Sequence, residues 1–88
     1  MLLLASIGTA TANPFADAEA AYTKGNYPEA VRIWKSLALK GDARAQSILG
    51  WMYAEGNGVS RNYPEAMKWY HLATEQGHAF AQYNLGLM

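Results

Sequence analysis

The stretch Tyr27-Pro28-Glu29-Ala30 returns intact as Tyr63-Pro64-Glu65-Ala66, which sets a period of 36 residues. In the same register Gly41 falls on Gly77, Ala43 on Ala79, Ala45-Gln46 on Ala81-Gln82, Leu49-Gly50 on Leu85-Gly86 and Met52 on Met88. A repeat of roughly 20–50 residues is the mark of a solenoid, in which one unit cannot bury its apolar face alone and stacks on the next. The period therefore predicts an all-α chain, an α/α solenoid of antiparallel helix pairs.

Working outward, residues 14–24 carry Ala18, Ala21 and Tyr22 at the spacing of one helical face. Gly25-Asn26 then ends this first helix and opens the second. Asn26 is placed to cap the second helix, with Glu29 returning the bond as in a capping box and Pro28 in the first turn, and Asn62-Tyr63-Pro64-Glu65 repeats the device. Ala30, Ile33, Trp34, Leu37 and Ala38 form the apolar stripe of the second helix. Asp42 is the expected cap of the third, whose stripe is Ala45, Leu49, Met52 and Tyr53, kept thin by alanine and Gly50 so that Trp34 or Trp69 has room to pack. Gly56-Asn57-Gly58-Val59 reads as a turn with Val59 tucked beneath it; it lacks the Gly-Lys-Ser/Thr of a phosphate cradle. A fourth helix from Tyr63 buries Ala66, Trp69, Tyr70 and Ala73, and residues 79–88 begin a fifth.

Composition narrows the function classes. The 88 residues hold seven basic and seven acidic side chains, so no basic surface points to nucleic acid. Without cysteine there is no disulfide framework, thiolate metal site or cysteine nucleophile. His71 and His78 straddle the Gly77 break and do not share a helical face as metal ligands would, and Ser36, Ser47 and Ser60 have no activating partner at a defensible spacing. No cofactor or metal is expected. At the start, Met1-Leu2-Leu3-Leu4-Ala5-Ser6-Ile7 is apolar and Ala10-Thr11-Ala12 has the small-x-small form accepted by signal peptidase. Residues 1–12 thus read as a signal peptide, which places the protein in the periplasm or outside the cell. The run is short and no Lys or Arg precedes it, so a truncated start and a short apolar helix packed on the repeats stay open as alternatives.

The pattern Ala43-x-Ala45-x-x-x-Leu49-Gly50-x-x-Tyr53-x-x-Gly56-x-Gly58-Val59, followed by Ala66, Trp69-Tyr70, Ala73 and Gly77, closely resembles the Sel1-like repeat. Residues 42–78 match one complete unit and 79–88 the first helix of a further, incomplete one. Residues 13–41 are more similar to the related tetratricopeptide repeat, because Tyr27 follows Tyr22 by five positions whereas Tyr63 follows Tyr53 by ten. The resemblance implies a noncatalytic scaffold for protein partners, often in bacterial envelopes. Some secreted Sel1-like proteins are linked to β-lactams, but the cysteines of those proteins and a Ser-x-x-Lys are both absent from this sequence. The competing readings are an envelope hydrolase acting on peptidoglycan or a β-lactam, and a fragment of a longer repeat protein.

A second stripe, Arg44, Ser47, Ile48 and Trp51, occupies the face of the third helix that its core stripe leaves free, and Phe80, Tyr83, Asn84 and Leu87 repeat it. In tetratricopeptide-like solenoids the first helix of each pair lines the concave groove. These eight residues are therefore the expected seat of a protein or peptide partner, with packing of Trp51 on the neighbouring pair as the alternative. The apolar fifth helix, lacking a polar outer face, is expected to favour self-association.

Overall fold

The computed structural model of the protein describes residues 13–87; the leader expectations fall outside that range. Five helices follow in order: α1 (Pro14–Thr23), α2 (Tyr27–Leu39), α3 (Ala43–Glu55), α4 (Tyr63–Glu75) and α5 (Ala79–Leu87), with no strand among the described residues. Each packs on its neighbour in sequence and α3 also touches α5, so the helices stack in chain order as an elongated body of 50 × 26 × 17 Å. The all-α, helix-pair architecture expected from the period is the one observed.

Side-chain oxygens start three of the helices. Asn13 Oδ1 accepts from Ala16 N at 3.1 Å, Asp42 Oδ1 from Arg44 N and Ala45 N at 2.9 and 3.1 Å, and Asn62 Oδ1 from Glu65 N at 3.0 Å. The expected cap at Asn26 does not form. Neither Glu29 nor Glu65 completes a capping box, and the reason is that the backbone N–H each would accept from is already engaged: Asn26 N donates to Ala21 O at 2.8 Å and Asn62 N to Tyr53 O at 2.9 Å. The carboxylates turn to cations one turn on, where charge strengthens the bond. Glu29 takes Arg32 at 2.9 and 2.6 Å; Glu65 takes Lys68 at 3.0 Å and the Trp69 indole N–H at 3.1 Å.

The core lies in two clusters. The larger joins Ala18 of α1, Ala30, Val31, Trp34 and Ala38 of α2, Ala45, Leu49 and Met52 of α3, and Trp69 of α4. The smaller joins Ala66, Tyr70 and Ala73 of α4 to Ala81 of α5, and Trp51 and Tyr53 pack against both. Trp69 is buried as expected. The α2 stripe is rotated from the expectation: Val31 is buried while Ile33 and Leu37 are half-buried. The cause is the loop after α3, whose Gly58 packs so closely on α2 that a Cβ there would lie 2.7 Å from Tyr27 O and 2.9 Å from Val31 Cγ2. Gly58 has φ +77°, so the position demands glycine for backbone conformation as well as for space.

Two contacts tie α3 to its neighbours. Gln46, buried in α3, donates to Ala38 O at 3.2 Å, and Gln76 after α4 donates to Gln46 Oε1 at 3.1 Å and to Gly41 O at 3.0 Å. Ala38 O thereby gains a second donor beside the Gly41 N–H, which already bonds it at 3.0 Å, and Gly41 O, just beyond the C-terminal end of α2, accepts from Gln76. The second contact is steric: a Cβ at Gly50 would meet the Tyr70 ring at 2.9 Å and Ala66 O at 3.1 Å, so the missing side chain lets α4 approach. Burial, with the Glu55 carboxylate nearby, pushes the Tyr70 phenol up to about 12.

The repeat-equivalent glycines should respond with opposite signs. Gly50→Ala is expected to destabilise by about 1–3 kcal/mol through overpacking, despite alanine's better helix propensity. Gly86→Ala, where a Cβ meets nothing within 4 Å, should instead stabilise by roughly 0.5–1 kcal/mol. Urea melts of both variants check this, and equal signs would refute the close α3–α4 approach. For Tyr70, the neutral phenol contributes stability that is fully present below the unfolded value near pH 10 and is lost as pH rises through the folded value. Absorbance at 295 nm should show a tyrosinate step near pH 12 that Tyr70→Phe removes.

Candidate partner-binding grooves

α3 carries its core stripe toward α2 and α4, which leaves Ile48 and Trp51 half-buried on a different edge of the helix. Trp51 stands there between two cavities. The first, about 500 Å³, is lined by Glu19, Tyr22 and Thr23 of α1, Trp34 of α2, and Ile48 and Trp51 of α3. The second, about 480 Å³, is lined by Trp51, Ala54 and Glu55 of α3, Tyr63, Met67 and Tyr70 of α4, and Asn84 and Leu87 of α5. They are related by the repeat itself, since Trp34, Ile48 and Trp51 of the first correspond at 36 residues to Tyr70, Asn84 and Leu87 of the second.

Aromatic packing holds Trp51 in place. The Tyr22 ring lies with its centroid 6.2 Å from that of Trp51, 6.0 Å from Trp34 and 4.8 Å from Tyr27. Phe15 adds an edge-on contact to Trp34 at 6.3 Å. Trp51 thus packs on Tyr22 and also lines both cavities.

Of the eight residues expected to receive a partner, the structure brings together Ile48, Trp51, Asn84 and Leu87 on these cavities. It separates the other four from them. Ser47 is fully buried and its Oγ has no hydrogen-bond partner, a correction to its place on the exposed stripe: α3 is enclosed on more than its Ala45–Leu49 face, so the neighbouring position is covered as well. Arg44 lies over the Phe15 ring at 3.9 Å, drawn to the first helix by the aromatic face. Phe80 and Tyr83 are 47% and 67% exposed but line neither cavity. Asn84, expected to offer both a donor and an acceptor, donates one Nδ2 hydrogen to Phe80 O at 2.8 Å, which leaves its second N–H and its carbonyl oxygen.

Residues supplied by α1 and α4 were not anticipated at the site. Glu19, Tyr63 and Met67 come from turns and faces that the stripe on α3 and α5 does not report, although the exposed Tyr63 in the repeated Tyr-Pro-Glu-Ala block was a usable signal. A third cavity of about 630 Å³ runs between α1 and α2, with Lys24, Arg32 and Lys40 interspersed with Asp17 and Glu29. Among the described residues no three His, Cys, Asp or Glu side chains converge as a metal site, and no helix is long and apolar enough to cross a membrane.

Comparison with known proteins agrees with this architecture. A Sel1 repeat protein from Oxalobacter formigenes matches with a TM-score of 0.74 and 35% identity, over 85% of this chain and 34% of that one. A protective antigen present in uropathogenic Escherichia coli strains, displaying an SLR fold, matches with a TM-score of 0.71 and 40% identity, over 78% of this chain and 16% of that one. The chain thus spans about a third and about a sixth of these two solved structures. No curated protein matches it. The family model for the Sel1 repeat matches residues 43–78 and again 79–88, over the same helices that build the second groove, and the chain belongs to the Sel1 repeat family.

Proposed function

We propose that the protein is a noncatalytic interaction module of the bacterial cell envelope that holds a protein or peptide segment along the two grooves flanking Trp51. The Sel1 repeat fold is that of a protein-interaction module. The observation that carries the reading for this chain is the duplicated cavity: two neighbouring recesses with aromatic walls, one repeat apart and sharing one tryptophan. Large aromatic side chains that are already held by packing lose little freedom on binding, which is why they dominate interface hot spots. The side chains at the site are mostly apolar with a few polar groups, a composition suited to side-chain capture and not to moving a proton or a bond. Envelope location rests on the apolar leader and on Ala10-Thr11-Ala12.

Selection of peptides from a random library against the protein tests the binding reading. Bound peptides should shift the amide resonances of Ile48, Trp51, Ala54 and Asn84. Leu87→Arg, at a residue 67% exposed, should weaken them at least tenfold, about 1.4 kcal/mol, with an unchanged circular dichroism spectrum. Trp51→Ala should weaken binding at least as much while lowering the melting temperature, because its indole also packs on Tyr22. Peptides that footprint elsewhere would overturn the reading. For location, the intact mass of protein recovered from the periplasm should correspond to a chain beginning at Asn13, and a full-length cytoplasmic mass would overturn that part.

A further inference from the structure

We propose that the edge of α5 formed by Gln82, Tyr83 and Gly86 is a docking site for a helix of a partner protein, one that presents an aromatic ring with a glutamine six residues beyond it. This edge is distinct from the grooves flanking Trp51 and depends on neither of them. Asn84 and Leu87 are the α5 residues that line the second cavity, whereas Gln82, Tyr83 and Gly86 line none.

Gln46, Ser47 and Gly50 of α3 correspond at 36 residues to Gln82, Tyr83 and Gly86 of α5. In α3 all three are buried; in α5 all three are exposed, Tyr83 to 67%. The cover on α3 is α4. Its Tyr70 ring and Ala66 O lie 2.9 and 3.1 Å from where a Cβ on Gly50 would stand, but a Cβ on Gly86 would meet nothing within 4 Å. Glycine inside a helix costs stability relative to alanine, and close approach of a neighbour is what offsets that cost at Gly50. Gly86 offers the same seat with no ring in it.

The polar half of the α3–α4 contact is open in the same way. Gln76 Nε2 donates to Gln46 Oε1 at 3.1 Å and to Gly41 O at 3.0 Å. The counterparts of those acceptors are Gln82 and Gly77, and among the described residues neither the Gln82 side chain nor Gly77 O has a hydrogen-bond partner. A ring seat and two acceptors in one register call for a single helix carrying both groups at the spacing of Tyr70 and Gln76, so the α3–α4 interface continues onto α5 with its second member missing. Among the described helices only α4 with its cap has that spacing; α2 has Trp34 at the ring position but Lys40 where the glutamine would fall. Because α4 is already packed between α3 and α5, a second folded copy has no such helix to give, and the occupant comes from another protein. Anchors on one face of an amphipathic helix are a recurrent means of such docking.

The test titrates the full chain with a synthetic peptide of residues 62–77, the α4 sequence, cross-linked between positions 68 and 72 because so short a helix is marginal alone in water. Both positions are exposed in α4. The peptide should shift the amide resonances of Gln82, Tyr83 and Gly86 and leave that of Ile48 in place. Tyr70→Ala in the peptide and Gly86→Ala in the chain should each weaken binding at least tenfold, although Gly86→Ala does not lower the melting temperature of the chain itself. Gln76→Ala in the peptide should weaken binding at least fivefold, and Gln82→Ala in the chain should then add less than twofold; additive losses overturn the glutamine contact. Undiminished binding with Gly86→Ala or with the Tyr70→Ala peptide, or no shift from a peptide whose circular dichroism is helical, overturns the proposal. A footprint of the helical peptide on the cavities at Trp51 overturns it too, while leaving the groove reading in place. So does a dimer of the chain alone that Gly86→Ala abolishes, since the occupant is then a second copy.

Discussion

The approach of α4 to α3 through Gly50 is the constraint on which the remaining geometry depends. With no Cβ at that position the Tyr70 ring settles directly on the α3 backbone. Seating Tyr70 there turns the adjacent Trp69 into the larger cluster and leaves Tyr70 in the smaller one, so one dipeptide serves both halves of the core. The same seat determines where α5 can lie, because Ala81 packs on Ala66, Tyr70 and Ala73. A larger residue at Gly50 would displace α4, and the cavity beneath Trp51 would lose its Tyr70 and Met67 wall.

The first and second helix pairs are joined unequally, and the difference explains the rotated face of α2. Between α1 and α2 the chain turns in the three residues 24–26, while the turn from α3 to α4 includes Gly56-Asn57-Gly58-Val59. That longer turn lies back on α2 at Tyr27 and Val31. It exchanges solvent around Val31 for backbone contact, and Val59 joins the rim of the larger cluster. The inserted glycines thus work as an inter-repeat contact, in addition to allowing the chain to turn.

Much of this was legible in the residues because the information was periodic. The 36-residue register gave helix number, order and pairing, and the small residues Ala45 and Gly50 marked the face that a neighbour would approach. What periodicity does not encode is how far around each helix its neighbours reach. Ser47 looks like a member of an outward stripe, yet it is buried, as is the polar Gln46 beside it, because α3 is covered on several sides and only one of those faces has an apolar signature. The capping boxes failed for a similar reason: whether a backbone N–H is available depends on the turn that precedes it. Half of the expected groove residues came together, and the walls added by α1 and α4 could not be read from a stripe on α3 and α5 alone.

The glutamine tie has a mechanical consequence. Most contacts in the chain join helices adjacent in sequence, so a pull on its two ends would peel them apart one at a time. Gln76 instead grips Gly41 and Gln46, 35 and 30 positions away, and closes the second hairpin onto the end of the first. The paired glutamines therefore hold the tryptophan-bearing hairpins together at a point that packing between sequential helices alone does not secure.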